Sequence, residues 1–360
     1  MNFYKYSTEQ LTTEAIDLLK ALISTPSLSK EEEKTADLIE SYLKSKNINP
    51  TRHLNNVLAF SENFDNQLPT ILLNSHHDTV KPNKSYTLDP FSPIEQDGKL
   101  YGLGSNDAGG ALVSLIATFL HYSQVPEKPF NLILAATAEE ENSGKNGIES
   151  VLQKFGKVDL AIVGEPTQMQ LAVAEKGLMV IDCTAIGRAG HAARNEGENA
   201  IYKAIKDIDW FRSYKFPKVS EALGEVKMTV TIIGAGTQHN VVPDTCTFTV
   251  DVRPTDIYKN AEILAIIKEN VSCEVKERSL RLNASSIPIT HPIVQQGLRL
   301  GRIHYCSPTT SDQAVIPFTS IKIGPGDSAR SHTADEYIYL DEIREGISLY
   351  IKLLDGLQLG

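Results

Sequence analysis

Thr70-Ile-Leu-Leu-Asn-Ser-His-His-Asp78 begins as a short, mostly apolar run and ends in two imidazoles and a carboxylate. Its apolarity is continuous rather than alternating, which marks a strand covered on both faces. The same pattern recurs along the chain. Leu132–Ala136 runs into Glu139-Glu140-Glu141, Leu160–Val163 ends in Gly164-Glu165-Pro166, and Ile321–Ile323 is followed by Gly324-Pro325-Gly326 and then His332. Ala111–His121 reads as a covering helix, and two further apolar stripes precede it: Ile16, Leu18, Leu19, Leu22 and Ile23, then Ala36, Ile39 and Leu43. Between those stripes Ser29 and Glu32 have capping-box spacing, which predicts that the helix restarts after Pro26. Buried strands interleaved with helices predict an α/β sheet with helices on either side.

The middle of the chain has a different texture. Gly177–Gly187, Lys227–Gly234, Thr245–Arg253 and Cys273–Arg278 read as strands, and Gly197–Phe211 and Ile257–Asn270 as helices. The order βαββαβ is the ferredoxin-like arrangement. A helix near Pro292–His304 then resumes the α/β texture. The predicted layout is a discontinuous domain over 1–172 and 284–360, with a smaller domain over 173–283 inserted into it.

Composition narrows the function. The 360 residues carry 35 Lys+Arg against 45 Asp+Glu, a net charge of −10 that repels phosphate backbones and argues against nucleic-acid binding. With 41% hydrophobic and 22% charged residues the chain is globular. No apolar run approaches the roughly 20 residues of a membrane span. The start MNFYKYSTEQ lacks the apolar core of a secretory signal, so a cytoplasmic location is expected. Cys183, Cys246, Cys273 and Cys306 are dispersed, as reduced structural thiols would be.

Chemistry gathers where the strands end. Open α/β sheets bind ligands beyond the carboxyl ends of their strands. Here those ends deliver His76, Glu139 to Glu141, Glu165 and His332. Asp107 adds another acid from the glycine-rich loop Gly102-Leu-Gly-Ser-Asn-Asp-Ala-Gly-Gly110. Each piece alone fits a surface ion pair, a solvated acidic turn or an ordinary loop; their coincidence at one sheet edge does not. Carboxylates crowded together repel unless protons or cations neutralise them. Imidazole and carboxylate without thiolate suit Zn²⁺, Co²⁺ or Mn²⁺, so a site for two divalent ions is expected.

The ordered set His76-x-Asp78-Thr-Val, Gly102-x-Gly-x-x-Asp107-x-Gly-Gly, Glu139-Glu-Glu141, Val163-Gly-Glu-Pro-Thr167 and His332-Thr-x-x-Glu336 closely resembles the acetylornithine deacetylase and succinyl-diaminopimelate desuccinylase family of dinuclear zinc hydrolases. Aminoacylases and some carboxypeptidases and dipeptidases are related, and Val-Gly-Glu-Pro-Thr favours the deacylase branch. Gly187-x-x-x-His191, Gly197-x-Asn199-Ala-Ile, Asn240-Val-Val-Pro-Asp244 and Asp251-Val-Arg253 resemble the family's lid domain. The resemblance covers nearly the whole chain. It implies a mixed-sheet, zinc-exopeptidase-like catalytic domain with an inserted ferredoxin-like lid and dimerisation domain.

Position by position, the resemblance implies that Asp107 bridges two ions, that His76 and Glu165 complete one site, and that Glu141 and His332 complete the other. Asp78 would orient His76. Glu140 would be the general base that takes a proton from the attacking water. His191 and Asn240 would supply donors to the tetrahedral intermediate, and Arg253 would clamp a substrate carboxylate. The family usually has Asp-Glu-Glu where this chain has Glu139-Glu140-Glu141, so the alternative register makes Glu139 the base and Glu140 the ligand. Ala-Gly-Gly follows Asp107 where Met-Lys-Gly is common, and Asn195 replaces a frequent proline. The expected enzyme is a metal-dependent amidohydrolase acting on N-acetylornithine or an N-acetyl or N-succinyl relative, working as a homodimer in arginine biosynthesis. The competing readings are a metallo-exopeptidase or dipeptidase and an inactive binding protein.

Overall fold

A computed structural model describes residues 6–62, 64–123, 125, 127–194 and 196–359, so Asn195 lies outside the described residues. The chain divides into two compact units. The first runs to Val173 and takes up Ile287–Tyr305 and the chain from Ser311 onward. The second comprises Ala174–Ser286 and a short return at Cys306–Thr310, which the apolar pattern did not announce.

The first unit is built on a mixed sheet. Asn131–Thr137, Thr70–His76, Leu160–Val163 and Ser320–Lys322 lie side by side and parallel. The antiparallel pair Thr51–His53 and Asn56–Phe60 extends one edge, and Leu171–Glu175 adds antiparallel at the other. Both faces are covered, which explains the continuous runs. Along Thr70–His76, Ile71 and Leu73 enter one core while Leu72 enters the other. The larger core lies under helices Thr8–Ile23, Gly110–Ser123 and Leu340–Leu354, which pack on one another. Every residue from Gly110 to Tyr122 is buried, so this helix has no polar face and is enclosed by its neighbours. The opposite face is closed by Ile148, Val151, Phe155 and Val158.

Two local expectations are corrected. Ser29 and Glu32 form no capping box: helix Glu33–Ser45 starts after Glu32 without a side-chain cap. The Ser29 hydroxyl instead donates to Asp78 Oδ2 at 2.7 Å, and the Glu32 carboxylate accepts from Lys30 N, Asn55 Nδ2 and Glu139 N. Bonds to ionised carboxylates are stronger than neutral ones, and these win over the helix terminus. The helix expected over Pro292–His304 stops at Arg299. Gly301 takes φ +78, and the amides of Gly301 and Arg302 close back on Leu298 and Gly297, a Schellman stop.

In the second unit the strands order as Lys227–Ala235, Thr245–Arg253, Met179–Ile186 and Glu274–Glu277, all neighbours antiparallel. With helices Ala200–Ser213 and Asn260–Asn270 in their chain positions, this is the ferredoxin-like order. Burial alternates along Met179–Ile186: Met179, Ile181, Cys183 and Ala185 face inward, and the helices supply Ala204, Phe211, Ile263 and Ile267 against them. Asn199 caps the first of these helices by accepting from Ile201 N, a local reason for the Gly197-x-Asn199 string. Among the described residues no helix is long and apolar enough to cross a membrane.

Candidate metal centre

The carboxyl ends of the parallel strands converge as the sheet rule requires. Two groups of side chains gather there, His76 with Asp107 and Glu165, and Asp107 with Glu141 and His332; within each group the donor atoms lie within 4.8 Å of one another. Asp107 belongs to both. Its Oδ1 is 3.4 Å from His76 Nε2 and its Oδ2 is 3.7 Å from His332 Nε2. Glu165 Oε1 and Glu140 Oε2 stand 3.8 and 3.9 Å from His76 Nε2, and Glu141 Oε2 is 2.9 Å from His332 Nε2.

Hydrogen bonds hold this arrangement from behind. His76 Nδ1 donates to the backbone carbonyl of Asp78 at 3.0 Å, which aims Nε2 into the cluster. The Asp78 carboxylate lies slightly farther from that ring, at 3.4 Å, and accepts the amides of Glu140 and Glu141 at 3.0 and 3.2 Å. Asp78 therefore positions the acidic turn as well as the imidazole. His77 takes no part: it is buried, bonded to Thr35 and to the Asn55 carbonyl, and burial lowers its pKa to about 4.

The three consecutive glutamates separate by backbone. Glu139 sits at φ +56, and its carboxylate accepts from the side chain and amide of Asn146. Glu140 and Glu141 are the two that reach the clusters. Asp107 depends on its glycines: a Cβ at Gly104, where φ is +75, would lie 2.6 Å from Thr79 Cγ2, and one at Gly109 would lie 2.4 Å from the Gly104 carbonyl oxygen.

Electrostatics make the cluster a cation receptor. Burial pushes Glu140 well above the usual carboxylate range, with Glu165, Asp312 and Glu141 adding to it, and burial raises Glu165 to about 8. Burial alone would lower His76, but Asp107 and Asp78 outweigh it and hold the imidazole well above its ordinary value. His332 is raised to about 9 by its hydrogen bond to Glu141. Acids that cling to protons beside imidazoles that do the same are a site short of positive charge. His76 Nε2 is fully buried yet has no hydrogen-bond partner, the position of a ligand atom. The residues present therefore fit divalent cations, and imidazole with carboxylate fits zinc, cobalt or manganese.

The remaining candidates lie in the second unit. The two-residue pairing of Gly190–His191 with Val241–Val242 brings His191 and Asn240 together, Ala192 N donating to the Asn240 carbonyl at 3.0 Å; both residues are exposed. Arg253 is held bidentately by Asp251 at 2.8 and 3.0 Å, so one edge of its guanidinium is occupied. Two buried acids escaped the sequence reading. Asp312 accepts from Thr137 Oγ1 at 3.0 Å and burial raises it to about 6; Glu336 was only a letter in a motif, yet it accepts the amides of Gly104, Asn106 and Asp107. The signal for Asp312 was faint: a lone acid after Thr309-Thr310-Ser311, on no recognised strand end.

Comparison with known proteins agrees with this geometry. The chain is 26% identical over 380 residues to acetylornithine deacetylase of Buchnera aphidicola, covering 94% of this chain and 97% of that one. It is 27% identical to a probable succinyl-diaminopimelate desuccinylase of Staphylococcus aureus, covering 88% and 91%. Among solved structures, aminopeptidase PepT of Bacillus cereus superposes with a TM-score of 0.77 at 17% identity, over 99% of this chain and 100% of that one. A Bacillus subtilis dinuclear metal-binding peptidase of the M20 family superposes at 0.71 and 16% identity, over 97% and 99%. The model of peptidase family M20/M25/M40 matches residues 72–356. The chain is a member of peptidase family M20/M25/M40 and an enzyme that acts on amide bonds.

Proposed function

We propose that the enzyme hydrolyses the amide bond of an N-acylated amino acid, N-acetylornithine or an N-acetyl or N-succinyl relative, and so serves arginine biosynthesis. The observation that carries this reading is Glu140, a buried carboxylate of raised pKa placed 3.9 Å from His76 Nε2 and beside two cation-fitting groups that share Asp107. Relatives named acetylornithine deacetylase and the string Val163-Gly-Glu-Pro-Thr167 support the acyl-amino-acid substrate over a peptide.

An amide is a poor electrophile and neutral water a poor nucleophile. Two divalent ions, zinc in the first instance and cobalt or manganese by the same donors, would lower the pKa of water and polarise the amide oxygen. His76, Asp107 and Glu165 would hold one, and Asp107, Glu141 and His332 the other. Glu140 takes the proton of the attacking water and returns it to the departing amine nitrogen. Asp78 keeps Glu140 in reach through its amide and orients His76. His191 and Asn240 donate to the oxygen that gains negative charge. Arg253 uses its remaining edge for the substrate carboxylate.

The reading includes a cytoplasmic location, where the four free thiols stay reduced. It also includes pairing of two copies through the second unit, whose edge strand Lys227–Ala235 leaves Ile232 and Ile233 62% and 57% exposed. The test is a substrate panel in which acyl group and side chain vary independently, run with zinc or cobalt beside dipeptides. Turnover of N-acetyl or N-succinyl ornithine is expected to exceed that of every dipeptide, and the reverse order would overturn the substrate assignment.

A further inference from the structure

Asp107 sits within 4 Å of two imidazoles in a loop that needs glycines at 102, 104, 109 and 110. Such a segment has more conformations open to it than any other composition allows. Its carboxylate also shares the rim with Glu141 and Glu165. The two imidazoles and Ser331 act on the carboxylate of Asp107, but they leave open what fixes the backbone of this glycine-rich loop.

Glu336 does hold it. The residue is 2% exposed and stands just before the strand Tyr337–Tyr339. Its Oε2 accepts from Gly104 N at 3.1 Å, and its Oε1 accepts from Asn106 N and Asp107 N at 2.8 and 2.9 Å. Its backbone carbonyl accepts from Gly102 N at 2.9 Å. One buried side chain thus satisfies three of the loop's amide donors, and the main chain behind it anchors a fourth. None of these bonds involves a cation.

We propose that Glu336 is a positioning residue that builds the Asp107 loop in advance, so that the shared carboxylate is in place before any cation arrives. The inference rests on the reading of Asp107 as the ligand common to both groups. Glutamine at 336 would offer one acceptor and turn an NH₂ toward an amide that needs an acceptor, so Glu336→Gln loosens the loop without removing any ligand.

The test has two arms. In the first, hydrogen–deuterium exchange is followed on the wild-type protein before and after chelation and dialysis. Amides in 102–108 should stay protected in the cation-free protein; if they exchange freely and gain protection only when Mn²⁺ or Zn²⁺ is added, the cation builds the loop and the proposal is overturned. This arm needs no variant and decides the matter even where Glu336→Gln does not fold. In the second, Mn²⁺ affinity is measured by titration calorimetry for wild type, Glu336→Gln and Asp107→Asn. Glu336→Gln should bind about 10- to 100-fold more weakly, the usual cost of losing a group that supports a ligand. Its activity should return at excess cation, a rescue that a merely destabilised fold would not show. Wild-type affinity in Glu336→Gln with weakened binding in Asp107→Asn would sink the role of Glu336 alone. Wild-type affinity in Asp107→Asn would sink the ligand reading beneath it.

Discussion

The two halves of the centre share Asp107 and little else. The inner imidazole, His76, has a side chain 1% exposed, stands at the end of a central strand and points an unpartnered nitrogen at three carboxylates. The outer imidazole, His332, has a side chain 55% exposed, lies on a loop at φ +61, and its Nε2 is already hydrogen-bonded to Glu141. His76 is desolvated and fixed, so its charge acts at low effective dielectric, whereas His332 is open to water that screens its charge; the carboxylates Glu165 and Glu141 are mostly buried on both sides. Were these groups to hold cations, the buried imidazole would favour retention on one side and the exposed one would favour exchange on the other.

The largest expected effect concerns the proton carrier beside the inner half. Glu140→Gln should lower kcat by about 100- to 10,000-fold, the range of a lost general base, with both cations still bound. Glu139→Gln should leave kcat within about tenfold, because its carboxylate serves Asn146 and not the cluster. Steady-state kinetics with metal analysis of each variant checks both. A dead Glu139→Gln beside an active Glu140→Gln would reverse the register that the geometry supports.

Ligand deletions should separate the halves next. His332→Ala should keep one ion per chain, and the remaining ion should bind with close to wild-type affinity. His76→Ala should weaken both ions, by more than the roughly 100-fold that loss of a supporting group costs, because Asp107 loses its inner partner as well. Metal content after gel filtration reads this directly, and equal losses in the two variants would erase the distinction. Release kinetics should show the same division: with a chelator in excess, the outer ion is expected to leave in a phase about tenfold or more faster than the inner one, following its exposure. A single phase would mean that burial does not govern retention here.

How much of this was legible in the chain follows from the kind of contact involved. His76, Glu165 and the Glu139–Glu141 run could be placed because a buried parallel strand announces itself by continuous apolarity and its carboxyl end faces the ligand. The register within Glu139–Glu141 could not, since it is set by the left-handed backbone at Glu139 and by Asn146 seven residues on. Ser29 was misread for a related reason: local spacing offered it a helix cap, and Asp78, 49 residues away, took its hydroxyl. The second unit's strands and helices were readable in their chain order, but His191 and Asn240 carry no signal of their own on an exposed pair of short strands; only resemblance picked them out. Asp312 and Glu336 show the limit most clearly, because each acts by accepting bonds from residues more than 170 positions away.

Asp312 also gives the smallest and most discriminating test of the inner half. It is buried against Thr137, and His76 and Asp78 both contribute to its electrostatic surroundings. Burial raises its pKa to about 6 from 3.8, so the folded chain keeps this proton to higher pH than the unfolded chain does. Folding is therefore penalised increasingly as pH climbs from about 4 through 6, and the full penalty is present above that window. Asparagine can keep an acceptor toward Thr137 Oγ1 while carrying no charge. In the cation-free protein Asp312→Asn should be more stable than wild type at pH 8 by roughly 2 kcal/mol, with the gap closing toward pH 4. Denaturant unfolding at the two pH values measures it. A gap of the same size at both would mean that the gain comes from packing and not from charge, and the inner half would then be less desolvated than its geometry indicates.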